Sequence, residues 1–228
     1  MNKLHTQTGY TSAASSEVEI NKVLRNTYML LAITLAFSAL TAGIAMAINL
    51  PYGVGLMMTI AALGLIWFVL PKTANSAAGL GVVFAFTGLI GAGIGPMLNH
   101  YLALSNGPTL VLQALGGTAI IFFSLSGYAL TTRKDFSFLR GFVVTGIVVM
   151  ILAMLVLMGA SLFGYYVSAF HLAFSAGVIL LMSALILFQT SAIIHGGETN
   201  YLLATTTLYL SVVNIFTSLL HLLGVSSD

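Results

Sequence analysis

The chain has no cysteine and almost no charge, with seven Lys and Arg and five Asp and Glu spread over 228 residues. The first absence excludes disulfides, thiolate nucleophiles and Cys-ligated metal sites. The second argues against a soluble domain, because so few ionised side chains cannot give a body of this size a hydrated surface. The basic residues lie in separate segments and form no groove for nucleic acid. No polar stretch is long enough to bury a core of its own.

What fills the chain instead is hydrophobic: 59% of the residues are apolar, and they fall into seven runs with every Lys and Arg outside them. The runs cover residues 27–48, 54–70, 80–98, 109–130, 141–163, 167–190 and 202–223. Each approaches the roughly 20 residues a helix needs to cross about 30 Å of hydrocarbon. A closed β-barrel would show apolar and polar residues alternating over about 10 positions, and no such alternation persists. The expected fold class is therefore all-α, a polytopic membrane bundle of seven transmembrane helices spanning 22–228, preceded by a mobile polar tail, 1–21. A cleaved signal sequence does not fit, since the first run is too long, comes after a polar tail and continues into further spans.

Charge predicts the orientation. Lys22 and Arg25 precede the first span, Lys72 lies just after the second, and Arg133, Lys134 and Arg140 lie after the fourth, whereas the alternate turns carry no Lys or Arg. The positive-inside rule then puts the amino end in the cytoplasm and, after seven crossings, the carboxyl end outside.

Small and polar residues supply the packing and site candidates. Gly88, Gly91 and Gly95 repeat at steps of three and four, so one edge of the third span can approach a neighbour closely. Pro96 predicts a bend or an early stop before Asn99. Gly116 and Gly117 predict a second close contact on the fourth span. On the sixth span His171, Ser175, Met182 and Gln189 share a face, and on the seventh so do Thr207, Ser211, Asn214 and Ser218. A polar stripe loses its hydrogen-bonding partners against lipid, so these faces are expected to line an inner cavity. No ionised residue lies in the centre of any span, which removes the obvious proton relay or fixed-charge ion site.

Two loops are expected to be locked structurally. Arg133, Lys134 and Asp135 close the fourth span, with Asp135 placed to cap the next helical segment or to pair with a nearby cation, while Phe136 and Phe138 dip into the interface. His195 and Glu198 flank Gly196 and Gly197, which end the sixth helix; two candidate ligands fall short of a zinc signature. No serine or carboxylate stands in a nucleophile or base arrangement, so no catalytic residue, cofactor or metal is assigned.

The segments Lys22-Val-Leu-Arg-Asn-Thr-Tyr28, Lys72-Thr-Ala-Asn75, Gly95-Pro96-Met-Leu-Asn99, Ala114-Leu-Gly-Gly-Thr118, Leu130-Thr-Thr-Arg-Lys-Asp135 and Ile194-His-Gly-Gly-Glu-Thr-Asn-Tyr201 occur in one order from residue 22 to the carboxyl end. In these blocks the chain resembles the Bax inhibitor (TMBIM) family, and within it the bacterial inner-membrane modulators of the FtsH protease. The resemblance implies a seven-helix bundle with a central hydrophobic helix, no catalysis of its own, and association with FtsH and its HflK/HflC partners. It also implies opposition to the breakdown of membrane proteins such as SecY, with the tail 1–21 as the point of engagement. Other members of the family are proposed pH-sensitive calcium leak channels gated by two aspartates. Gln189 and Ser211 stand at those positions here and carry no charge, so the resemblance implies at most weak calcium binding.

Overall fold

The structure is a computed structural model that describes the backbone of residues 4–164 and 168–225 and the side chains of 17–164 and 169–225. The elements are α1 (Leu4–Ala47), α2 (Tyr52–Gly64), a π-helical turn (Leu65–Val69), α3 (Leu70–Thr73), α4 (Ala77–Leu102), α5 (Gly107–Thr132), α6 (Leu139–Leu162), α7 (Ser168–Ile194) and α8 (Tyr201–Val225). Among the described residues there is no strand, and seven stretches are long and apolar enough to cross a membrane. The second of them is composite, running Tyr52–Thr73 through α2, the π turn and α3.

That composite has a local cause. Pro71 brings no amide donor, and its ring would crowd the carbonyl four residues back in a regular helix. The backbone widens just before it: Leu70 N–H reaches Leu65 O, five residues away. One wider turn thus keeps the span continuous where a proline would otherwise break it.

The polar stretch before the first span is helical in its backbone from Leu4 onward, continuous with that span. No proline precedes Pro51. Once the apolar span has formed, adding each preceding residue to the helix gains a hydrogen bond without a new nucleation cost.

The core is built around α8, which packs against α7, α5, α1 and α4. Its Leu202, Leu208, Tyr209, Ile215 and Leu220 are fully or almost fully buried. In contrast, α6 packs chiefly on α7 and leaves Phe142, Val148, Leu152, Leu155 and Leu162 exposed for lipid. One polar node crosses the middle of the bundle. The Tyr209 hydroxyl donates to the Thr87 carbonyl at 3.2 Å and takes the Ser38 hydroxyl hydrogen at 2.6 Å, joining α8 to α4 and α1.

The glycines of α4 explain how closely its neighbours approach. A methyl group at Gly91 would overlap the Ser38 carbonyl oxygen and the Thr41 hydroxyl on α1. At Gly95 it would stand 2.6 Å from the Ala45 methyl, and at Gly88 2.8 Å from the Phe37 ring, both also on α1. Gly93 faces the other way, against Gly55 and Thr59 of α2. Two expectations need correction. Helix α4 does not stop at Pro96 but continues to Leu102, with the Pro96 ring seated against Gly55 of α2. Neighbouring helices make such a proline tolerable in a membrane span. Gly116 faces open space, and only Gly117 of that pair approaches a neighbour, the flexible Leu219 end at 3.1 Å; adjacent helical residues point about 100° apart, so a Gly-Gly pair cannot present both to one partner.

These contacts separate the glycines experimentally. Gly91→Val should lower the melting temperature of the detergent-purified protein, by an overpacking cost of about 1–3 kcal/mol. Gly116→Ala should leave it unchanged or raise it slightly, since Ala is the better helix former by about 1 kcal/mol. Equal melting temperatures for Gly91→Val and the parent chain would contradict the close α1–α4 approach.

Candidate functional site

All the described basic side chains lie at or just outside one end of the bundle, where the start of the first span meets the α3–α4, α5–α6 and α7–α8 connections. Two side chains, Asn200 and Ser191, hold those connections together. Asn200 Oδ1 accepts from Leu202 N at 2.9 Å and caps α8, while its amide nitrogen donates to Ala74 O and to Asn75 Oδ1, both at 2.9 Å. Ser191 donates to Lys134 O at 3.2 Å and accepts from Phe136 N at 2.9 Å, binding the α5–α6 connection to the end of α7. His195 Nδ1 lies 2.9 Å from the Ser191 carbonyl, which only accepts, so that nitrogen carries the hydrogen. The Thr205 hydroxyl donates to Tyr201 O at 2.7 Å within α8 and lies 3.2 Å from Thr27 O, so α8 runs close beside the start of the first span.

The charged residues of these loops make their contacts here largely through backbone atoms. Arg133 ends α5 in the left-handed region, with φ 49°, and donates its backbone N–H to Ala129 O. Lys134 contributes its carbonyl, and Asp135 closes a tight turn by accepting from Ser137 N at 2.8 Å. That bond, with a second from the Ser137 hydroxyl, holds the exposed Asp135 carboxyl below its ordinary pKa of 3.8. A lowered pKa means that the turn gains from the carboxylate above the ordinary value and loses it as pH falls through the lowered one. Gly196, with φ 72°, supplies the left-handed residue that ends α7, and Gly197 N returns to Ala192 O at 2.7 Å. Glu198 precedes α8 rather than beginning it: its carboxylate accepts from Asn200 N at 2.8 Å and so supports the cap.

Two cavities open at this end. One of about 560 Å³ is lined by Glu19, Lys22 and Asn26 of α1 together with His195, Glu198 and Tyr201. The other, about 400 Å³, lies between Asn75 and Ser76 of the α3–α4 turn and Thr199 to Leu202. A third, about 610 Å³ and almost wholly apolar, runs between α1 and α5 over α4 and α8, past Ala32, Ala39, Gly43, Leu115 and Ala119.

The polar faces of the sixth and seventh spans behave otherwise than expected. None of His171, Ser175, Gln189, Thr207, Ser211 or Asn214 lines any of these three cavities. The Thr207 hydroxyl bonds to Leu203 O, Ser211 to Thr207 O and the Asn214 amide to Leu210 O, each four residues back on α8. Away from water a hydroxyl finds its nearest acceptor in its own helix, and so do Thr207 and Ser211; on α7 the buried Gln189 Nε2 has no hydrogen-bond partner among the described residues. Gln189 and Ser211 are both buried. Neither provides a charge.

A family model described as an inhibitor of apoptosis-promoting Bax1 matches residues 20–228. The chain belongs to the Bax inhibitor family. Among its relatives in that family, the Escherichia coli K12 protein named modulator of FtsH protease YccA is 50% identical over 213 residues, covering 93% of this chain and 94% of that one. A Vibrio cholerae protein named only as an uncharacterized membrane protein is 47% identical over 218 residues and covers 96% of both chains. An uncharacterized protein of Pseudomonas aeruginosa is 50% identical over 215 residues, or 94% of each. The match begins inside α1, at the start of the described polar end.

Four residues that organise the molecule carry no mark in the sequence reading: Ser191, Asn200, Tyr209 and His221. Asn200 does have a legible signal, an Asn directly before an apolar run at a helix start. The other three act through partners far away in the chain. Asn200→Ala should remove the α8 cap and the tether to α3–α4 together, lowering stability by about 1–2 kcal/mol, read as a drop in melting temperature. Asn200→Asp keeps the capping oxygen but loses the amide donor, so it should fall between the two.

Proposed function

We propose that the protein is an inner-membrane modulator of an FtsH-type protease, without catalysis of its own, that opposes the breakdown of membrane proteins such as SecY. The observation that carries this reading is the 50% identity, over 93% of the chain, to the Escherichia coli protein named for FtsH modulation. The partners in this reading are FtsH and its HflK/HflC complex. The amino-terminal end and the basic connections face the cytoplasm, in keeping with the positive-inside rule, and the carboxyl end faces the periplasm.

The arrangement of the polar end supports the reading. A protease that works from the cytoplasm needs an end to grip, and α1 begins well before Lys22, at Leu4. Beyond that grip it meets the connections tied by Ser191 and Asn200 and a span seated against α4 at Gly88, Gly91 and Gly95. A chain easily engaged and slowly extracted occupies the protease and spares other substrates.

Deleting residues 1–21 should weaken the inhibition of SecY breakdown and reduce co-purification with the protease complex while leaving membrane insertion intact. Unchanged inhibition by a stably inserted deletion variant would defeat engagement through the amino-terminal end. Purified protein in liposomes should show no calcium flux above protein-free vesicles. A flux abolished by substitution of Gln189 or Ser211 would favour the leak channel instead.

A further inference from the structure

At the end of the bundle opposite the basic connections, the first turn of α7 meets the last turns of α8. His171 and His221 face one another there with ring centroids 6.2 Å apart and planes inclined at 50°. Ser175, one turn further along α7, lies 3.0 Å from the His171 carbonyl oxygen and 3.1 Å from His221 Nδ1. A hydroxyl has one hydrogen and a carbonyl oxygen can only accept. Both bonds are therefore made together only when Ser175 donates to the carbonyl and His221 donates its Nδ1–H to Ser175. In the neutral ring this tautomer leaves the lone pair on His221 Nε2. Histidines that ligate metals are oriented in this way, by a hydrogen bond from the other ring nitrogen.

We propose that His171 and His221 form a binding site for a late first-row divalent transition-metal ion, with His221 Nε2 as one ligand, the His171 imidazole as the second and water completing the shell. The spacing permits it. With about 2.1 Å from metal to nitrogen and about 1.1 Å from nitrogen to ring centre, two imidazoles on one ion have centroids at most about 6.4 Å apart. A tetrahedral angle brings them to roughly 5.2 Å, a closure that side-chain rotation at half-buried helix ends supplies.

The donor set decides the class of ion. Imidazole nitrogen suits zinc, copper and nickel, whereas calcium and magnesium require several oxygen ligands and carboxylates to offset their charge. Among the described residues no third His, Asp or Glu joins the pair. A bound ion would fasten α7 to α8 at this end, as Asn200 and Ser191 fasten the connections at the other. The inference rests on these three side chains and is independent of any effect on a protease.

Untagged full-length protein in lipid nanodiscs, titrated with Cu²⁺ and separately with Zn²⁺, tests the proposal. It should take up one ion per chain, with nitrogen coupling from two imidazoles in the Cu²⁺ electron paramagnetic resonance spectrum and no competition from Ca²⁺ or Mg²⁺. His171→Ala and His221→Ala should each weaken binding more than about 10-fold, and His100→Ala and His195→Ala should leave it unchanged. Ser175→Ala keeps both ligands and should weaken binding less than either histidine substitution. Folded parent protein that takes up no ion at micromolar metal would overturn the site. So would a folded double variant, His171→Ala with His221→Ala, that binds like the parent.

Discussion

Inside a bilayer there is no water to satisfy a stray hydrogen-bonding group, and the rest of this structure depends on that constraint. It forces the apolar runs into helices. It then disposes of their side-chain hydroxyls: Thr34, Thr118, Thr206, Thr207 and Ser211 each donate to a carbonyl four residues back in the same helix. Few polar groups remain to bridge helices. The Ser38, Tyr209 and Thr87 node is the deepest bridge, and a membrane-buried interhelical hydrogen bond is worth about 0.6 kcal/mol on average. That is too little to set the architecture. Close packing sets it, which is why α4 carries glycine on both its α1 and α2 faces.

The two ends of the bundle meet the same constraint differently because water reaches them. At the basic end, side chains tie connections to helices: Asn200 spans α8 and the α3–α4 turn, and Ser191 spans α7 and the α5–α6 turn. These bonds act on backbone atoms, so they fix the path of the chain independently of the charges beside them. Arg133 and Lys134 join the lock through their backbone: the Arg133 N–H reaches Ala129 O, and Lys134 O accepts from Ser191. At the opposite end the described polar contacts include Ser175 with His221 between α7 and α8, and the Asn99 amide, which donates to Met46 O and joins α4 to α1.

How much of this is legible in the sequence depends on the range of the interaction. The seven spans are readable because they come from local hydropathy, and so is the glycine edge of α4, whose spacing of three and four is a property of one helix. The course of α4 through Pro96 is not readable, because it depends on Gly55 of α2 leaving room for the ring. Gly116 and Gly117 look like a contact in sequence, but neighbouring positions on a helix cannot share a partner. The polar stripes on α7 and α8 are legible as faces, and their use is not: the expected cavity gives way to hydroxyls bonded within their own helices. His221 escapes a sequence reading because its significance comes from Ser175, 46 residues back on the preceding span, and from His171 beside it.

The placement of small residues has a mechanical consequence. Force applied at the amino-terminal end of this bundle reaches α1 first, and α1 is the helix that α4 holds through Gly88, Gly91 and Gly95, and that Tyr209 holds through Ser38. Sliding α1 by even one residue would carry side chains of α1 into the space those glycines leave open, since the fit between a small-residue edge and its partner is specific to register. Resistance to such a pull is therefore concentrated at the first helix rather than shared along the chain. The peripheral helix α6, which packs chiefly on α7, would yield far more readily if it came first. A bundle ordered this way presents its strongest seam to whatever grips its amino-terminal end, and its weakest helix is reached only after α1, the second span, α4 and α5 have been drawn out.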